Sequence, residues 1–270
     1  MITDNMSTNQ PAVQSNTSGG ILRQVAVILA TVITIGVNIL ANALPINGQN
    51  TGDISDLFPV YFVPAGYVFS IWGVIYIGLI AYSVFQALPS QRSNRTLVAI
   101  APWYLLSAAA NTVWIFCWHY NQFSLSLVVM LVLLASLIMI YRRLSADAQP
   151  ASRAEFWAVR VPFSIYLGWV CVATIANATD VLYLTGWNLL GISAPAWAAI
   201  MLIVATVLGL AFSIVRNDIG FVLVFVWAFI GIAVKHNATP AVAVTASVAA
   251  VLLLLLLGGG AGRRGNYTGR

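Results

Sequence analysis

The stretch Pro64-Ala65-Gly66-Tyr67-Val68-Phe69-Ser70-Ile71-Trp72-Gly73-Val74-Ile75-Tyr76-Ile77-Gly78-Leu79-Ile80-Ala81-Tyr82 runs on to Leu88 without one charged residue. Its apolar positions show no sustained alternation, and the run is far longer than a strand. A helix crossing the hydrocarbon core of a bilayer needs about 20 apolar residues, which this stretch supplies. An open sheet in lipid would leave backbone N–H and C=O groups unpaired, so the stretch reads as a membrane helix over Ala65–Leu88.

Seven further apolar segments flank it: Val25–Leu44, Leu97–Trp118, Phe123–Tyr141, Val159–Val181, Ala196–Val215, Ile219–Val234 and Pro240–Leu257. Ile219–Val234 is the short one. The chain is 60% hydrophobic and 7% charged, with a mean hydropathy of +0.90. Ordinary soluble domains are about 45–50% apolar and about 25% charged. The expected fold class is therefore all-α: a polytopic membrane helix bundle of about eight spans, with the lipid bilayer as its first partner. The net charge of +5 does not indicate a nucleic-acid partner. Its basic residues are scattered singly or in pairs at the ends of apolar runs, where they act as topology signals.

Those signals orient the chain. With both termini cytoplasmic, Arg23, Arg92, Arg95, Arg142, Arg143, Arg153, Arg160, Arg216, Arg263, Arg264 and Arg270 fall on the cytoplasmic side and only Lys235 lies outside. Dropping an early span would carry the Arg92/Arg95 or Arg142-Arg143 group across the membrane, against the positive-inside rule. The expected location is a bacterial plasma membrane. The polar loop Ile46–Val63, whose only charges are Asp53 and Asp56, then faces the opposite side. It is longer than a plain connector, which marks it as the wall or lid of a site, with Gly48 and Gly52 supplying its turns. Asp53, Asp56 and Asp180 offer a means of selecting cationic ligands or a divalent ion, but read first as a solvated rim, with Asp53, Ser55 or Asp56 as helix caps. Met1 to Gly20 is polar, without the basic start and apolar centre of a secretory signal, and reads as a disordered tail.

Chemistry-bearing motifs are scarce. Cys117 and Cys171 lie inside apolar runs and read as small core residues, and His119 and His236 sit at helix ends as interfacial residues. No phosphate loop, metal-ligand set or Ser/His/Asp arrangement has useful spacing. Ionisable residues are nearly absent at membrane depth, which disfavours a proton-coupled carrier, and neither half of the chain duplicates the other. Trp103, Trp118, Trp157, Trp187 and Trp197 lie near span ends, as in an interfacial belt. Trp227 falls mid-span and is expected to pack the last three helices onto the rest.

Phe69, Trp72 and Tyr76 share one face of the second helix, at spacings of three and four. By spacing alone such a stripe is core packing. The third helix carries Asn111-Thr112-Val113-Trp114, and the fifth carries Tyr166-Leu167-Gly168-Trp169-Val170-Cys171-Val172-Ala173-Thr174-Ile175-Ala176-Asn177. Together these motifs resemble the TspO/MBR family, the tryptophan-rich sensory or translocator proteins also called peripheral benzodiazepine receptors. In that family a double proline opens the second helix before Phe, Trp and Tyr, the third carries Asn-x-x-Trp, and the fifth carries Tyr-x-x-Trp-Val-x-x-Ala-x-x-x-Asn. The likeness runs from Val25 to Val181. This chain departs from it at Ala65 and Ile165, each standing where a proline is usual, and in having three additional spans.

The resemblance implies a five-helix bundle with a pocket between its helices, closed by the first loop, that takes porphyrins, haem-like tetrapyrroles, sterols or benzodiazepine-type ligands. Carried over, the ligand-binding candidates are Phe69, Trp72, Tyr76, Asn111, Trp114, Trp169, Ala173 and Asn177. Broad aromatic faces suit a flat apolar ligand. Asn111 and Asn177 must each bond across helices or meet a ligand, and Ala173 admits either a ligand or a close helix. The expected organisation is a polar tail over 1–20, a five-helix unit over 21–182, a three-helix membrane unit over 183–260 and a basic cytoplasmic tail over 261–270. The expected function is non-enzymatic sensing of a hydrophobic planar ligand such as a porphyrin, with no required cofactor and a homodimer left open. A transporter or permease for an apolar small molecule is the alternative, and an enzyme that alters a bound tetrapyrrole a third.

Overall fold

The computed structural model describes residues 17–147 and 151–265, and among them it contains helices and no strand. The long helices are α1 (Thr17–Ala43), α3 (Gly66–Ala87), α4 (Arg95–His119), α5 (Phe123–Ala146), α6 (Arg153–Leu184), α7 (Ala194–Arg216), α8 (Ile219–Lys235) and α9 (Pro240–Gly265). A short helix, α2 (Thr51–Ser55), lies in the loop between α1 and α3. Seven of these are long and apolar enough to cross a membrane. The exception among the long ones is α8, whose 17 residues stand at the lower bound of about 17 for a spanning helix.

Local chemistry sets the helix ends. Asn94 caps α4, its Oδ1 accepting from the backbone N–H groups of Thr96 at 3.0 Å and Leu97 at 3.2 Å. Asp218 caps α8 by accepting from Phe221 N–H at 3.1 Å. The α7–α8 and α4–α5 turns close through Asn217 (φ 51°) and Asn121 (φ 58°), a residue type that tolerates the left-handed region. Within α6, Pro162 lacks an N–H and crowds the turn before it, which widens to a π-helical turn over Phe156–Arg160.

Packing divides into an inner and an outer group. α4 lies against α1 and α5, α6 against α3 and α5, and α8 joins α6 to α9, which in turn holds α7. Small residues permit the closest approaches. A Cβ added to Gly168 would stand 3.1 Å from the Phe221 carbonyl oxygen, and one on Gly78 would stand 2.8 Å from Pro162 Cβ. On Gly231 it would meet Val68 Cγ2 at 2.1 Å. α8 is thus seated against both α6 and the start of α3, burying Phe221, Phe225, Phe229 and Ile232 completely. Trp227 packs as expected: its indole N–H donates to the Val68 carbonyl at 3.1 Å and its ring meets Tyr67 edge-on at 5.4 Å.

Several polar side chains inside the bundle are paired across helices. Asn38 of α1 donates to Asn111 Oδ1 at 2.7 Å, and Asn111 donates onward to the Tyr166 hydroxyl of α6 at 2.9 Å. The Thr31 and Tyr104 hydroxyls share a bond of 2.6 Å. The arginines of the helix connections gather at one end of the bundle, where Arg23 donates to the Gln91 carbonyl at 2.9 Å and Arg160 pairs with Glu155 at 3.6 Å. Lys235 pairs with Asp56 at the opposite end.

Several expectations shift. Of the tail expected over 1–20, residues 1–16 lie outside the described residues, and 17–20 form the first turn of α1. Residues 261–265 continue α9, while 266–270 lie outside the description. Gly48 does supply a turn, with φ 72° beside Asn47 at 55°, but Gly52 lies inside α2.

Because the Gly231 site has no room for a methyl group, Gly231→Ala should destabilise the protein by about 1–3 kcal/mol through overpacking. Gly73, with nothing within 4 Å of its Cβ position, is the control. Thermal unfolding in detergent should show a lowered midpoint for Gly231→Ala and none for Gly73→Ala. Equal midpoints would mean that α8 is not seated against α3 as described.

Candidate ligand-binding site

Three helices and one loop line a cavity of about 40 Å³ near the Lys235 end of the bundle. α3 contributes Phe69 and Trp72, α4 contributes Trp114 and Trp118, and α6 contributes Trp169, Ala173, Asn177 and Asp180. The α6 residues fall at spacings of four, four and three, one face of the helix. The loop adds Thr51 and Ser55 from α2, then Val63 and Pro64.

The aromatic wall holds its shape through ring contacts. Trp169 meets Phe69 at 5.8 Å and Trp72 at 6.3 Å, both edge-on, and Trp114 stacks on Trp118 at 5.5 Å with 19° between planes. Tyr76 stacks on Trp72 at 5.7 Å, and Tyr166 meets the same indole edge-on at 6.0 Å.

Of the eight residues singled out from the sequence, six therefore share the cavity: Phe69, Trp72, Trp114, Trp169, Ala173 and Asn177. Tyr76 and Asn111 do not line it. Tyr76 backs Trp72, and Asn111 spends both ends of its amide on Asn38 and Tyr166. Asn177 does both jobs, lining the cavity while its Nδ2 donates to Ser126 Oγ at 3.0 Å.

Two residues change role. Trp118 is no interfacial belt residue: it is 4% exposed, lines the cavity, and donates its indole N–H to the Thr51 carbonyl at 3.2 Å. Its position one turn after Trp114 was the signal available. Asp180 is no solvated rim residue either, because α2 and the helices bury it to 1% exposure on the cavity wall. Asp53 and Asp56 are exposed.

The loop is fastened at both ends. His119, fully buried, has Nδ1 3.1 Å from the Ile46 carbonyl and Nε2 3.0 Å from Thr51 Oγ1. A carbonyl only accepts, so Nδ1 carries a proton and donates to it, while Nε2 shares a hydrogen bond with the Thr51 hydroxyl. Asn47 donates to the His119 carbonyl at 3.0 Å. Farther along, His236 Nε2 donates to the Val63 carbonyl at 3.1 Å and its ring lies 5.2 Å from Tyr61. The Ala65 N–H donates to the Gly231 carbonyl at 3.1 Å. Both histidines are thus anchors of the loop rather than free interfacial side chains. Burial first, and then Lys235, hold the His236 imidazole below its ordinary value of 6.5, against the opposing effects of the Val63 carbonyl and Asp56.

Not every polar atom at the cavity finds a partner. Nε1 of Trp114, Nε1 of Trp169 and Oδ1 of Asp180 are buried and make no hydrogen bond. The void holds at most a few waters, whereas pockets for drug-sized ligands run to about 300–1,000 Å³. A larger ligand enters only by displacing the loop or the indoles. A second cavity of about 270 Å³ lies beside it, between Pro59–Tyr61 and the Trp187–Trp197 segment.

The sequence matches the family described as TSPO-like protein over residues 24–258, which extends beyond the motif-bearing helices through α7, α8 and most of α9. Comparison with curated proteins and with solved structures gave no match. With that match spanning most of the chain and the helices suited to a membrane, the chain belongs to the TSPO-like family as an integral membrane protein.

Proposed function

We propose that this protein is a membrane receptor or sensor that holds a flat hydrophobic molecule among the indoles of α3, α4 and α6, beneath the α1–α3 loop. The convergence of Trp72, Trp114, Trp118 and Trp169 on one cavity carries the reading. Indole faces give a planar ring large contact area at low cost in side-chain entropy. Two of these indoles bury N–H groups without partners, each a cost of about 1–3 kcal/mol that an acceptor on a ligand removes.

The closed cavity is too small for such a ligand, so binding and loop position are linked: occupancy must lift the loop or turn the indoles. A sensor needs that link, since it makes the bound state visible outside the pocket. A tetrapyrrole, the ligand class implied by the family resemblance, fits in part. Its ring suits the aromatic faces, but among the described residues no Arg, Lys or His lines the cavity to pair with peripheral carboxylates. On this reading the protein is non-enzymatic and needs no cofactor. It also puts the termini in the cytoplasm and the loop on the far side of a plasma membrane, a reading that the split between the arginine-rich and Lys235 ends supports.

Binding of an uncharged porphyrin, followed by the shift of its main absorbance band in purified protein, tests the pocket. Trp72→Ala and Trp169→Ala should each weaken binding by about tenfold or more. Three superimposable curves for wild type and the two variants would sink the assignment.

The loop's role has its own test. His119→Ala removes bonds to Ile46 and Thr51, so porphyrin should dissociate about tenfold faster, and amide exchange over 46–55 should rise. An unchanged dissociation rate would make the loop a connector.

The second anchor is sensitive to pH. The docked loop favours neutral His236, so a released loop binds protons more readily. Stability from this contact is fully present above the ordinary value of 6.5 and is lost as pH falls through the lower docked value. Amide exchange at Tyr61–Val63 should therefore quicken on acidification, and His236→Gln should abolish the dependence.

A further inference from the structure

The polar end of the cavity is chemically lopsided. Thr51 is bonded to His119, Ser55 donates to the Gly52 carbonyl at 2.7 Å, and Asn177 is bonded to Ser126. Asp180 alone is left over, a carboxyl group 1% exposed whose Oδ1 meets no donor. Lys235 acts on it through space, but the ammonium itself is bonded to Asp56. A buried carboxylate without a donor is strongly unfavourable, and an intramembrane ionisable side chain that persists in that condition marks a functional position.

Resting on the pocket reading above, we propose that Asp180 selects the charge of the ligand: the pocket takes a flat aromatic cation, its charged nitrogen donating to Asp180 and its ring lying among Trp72, Trp114 and Trp169. Three observations support this sign of charge. Among the described residues the only ionisable group on the wall is an acid, and no Arg, Lys or His lines it to receive an anion. The indole faces around it attract cations through the ring quadrupole, most strongly for tryptophan. A cation brings the donor that Oδ1 lacks and gains a charge-assisted bond, while a carboxylate-bearing ring would place like charges together in a medium that screens them poorly. The two free indole N–H groups are neutral donors; an acceptor elsewhere on the ligand satisfies them without altering its net charge.

Three tricyclic rings of nearly the same shape separate the terms: proflavine as the cation, acridine as the neutral ring and acridine carboxylate as the anion. Their affinities for the full-length protein in a non-ionic detergent, near neutral pH and against protein-free micelles, are read by titration calorimetry. Wild type should bind proflavine about tenfold or more tighter than acridine, and acridine tighter than the carboxylate. In Asp180→Asn the ratio of proflavine to acridine affinity should fall to about two or below. Equal affinities of wild type for proflavine and acridine, which need no variant, would overturn the charge selection while leaving the aromatic pocket standing. An undiminished ratio in folded Asp180→Asn would overturn the assignment to Asp180. Absence of binding by all three rings would overturn both this inference and the pocket beneath it.

Discussion

A polar side chain on a membrane helix has no water to turn to, and the structure depends on how that constraint is met. Asn38, Asn111 and Tyr166 meet it in a chain of two hydrogen bonds that crosses from α1 through α4 to α6. Interhelical bonds of this kind average only about 0.6 kcal/mol when measured, because a separated helix also finds partners. Their larger effect is on register. A slip of any of the three helices breaks a geometry that few other positions can satisfy. Tyr166 also meets Trp72 edge-on, so the same register places the indole that forms part of the cavity wall.

The loop above the cavity shows what the outer helices contribute. Its first half is held by α4, through a histidine that is entirely buried. Its second half is held by α8, through the half-buried His236, the exposed Lys235–Asp56 pair and the backbone bond from Ala65 to Gly231. Exposed ion pairs contribute roughly 0–1 kcal/mol, so the α8 side is the weaker hinge and the α4 side the stronger anchor. Opening should begin at Tyr61–Val63, where Tyr61 borders the second cavity and Val63 the first. α8 thus holds the loop that covers the cavity, which gives the helices beyond α6 a structural connection to the candidate site.

The helices were legible in the sequence because each is a long apolar run, although α1 and α6 begin earlier, and α5 and α9 end later, than the apolar runs by five to eight residues. α2 was not, since Thr51–Ser55, four polar or small residues with the single apolar Ile54, carry no periodic signal and owe their helix to the anchors around Thr51. Within the site, the aromatic stripe pointed to Phe69 and Trp72, but spacing cannot tell a wall from its backing, and Tyr76 is one turn too deep. Asn111 shows the same ambiguity, because a buried amide looks identical in sequence whether its partner is a ligand or another helix. Trp118 was misplaced for a different reason: a tryptophan near a helix end resembles an interfacial residue until a loop folds over it.

That last error and the misreading of Asp180 have one cause, and it separates the two ends of the cavity. Position along a helix predicts exposure only where the helix end meets water. Here α2 sits over the ends of α4 and α6, so residues that sequence assigns to the membrane surface lie inside the protein. Trp118 adapts easily, because its N–H finds the Thr51 carbonyl and its ring finds Trp114. Asp180 does not adapt, and its free oxygen turns the shallow end of the cavity into an acidic one within an aromatic wall. A loop that only closed the bundle would be better served by an amide or a small apolar residue at this position. The carboxyl group makes sense when something that enters beneath the loop brings the missing donor with it.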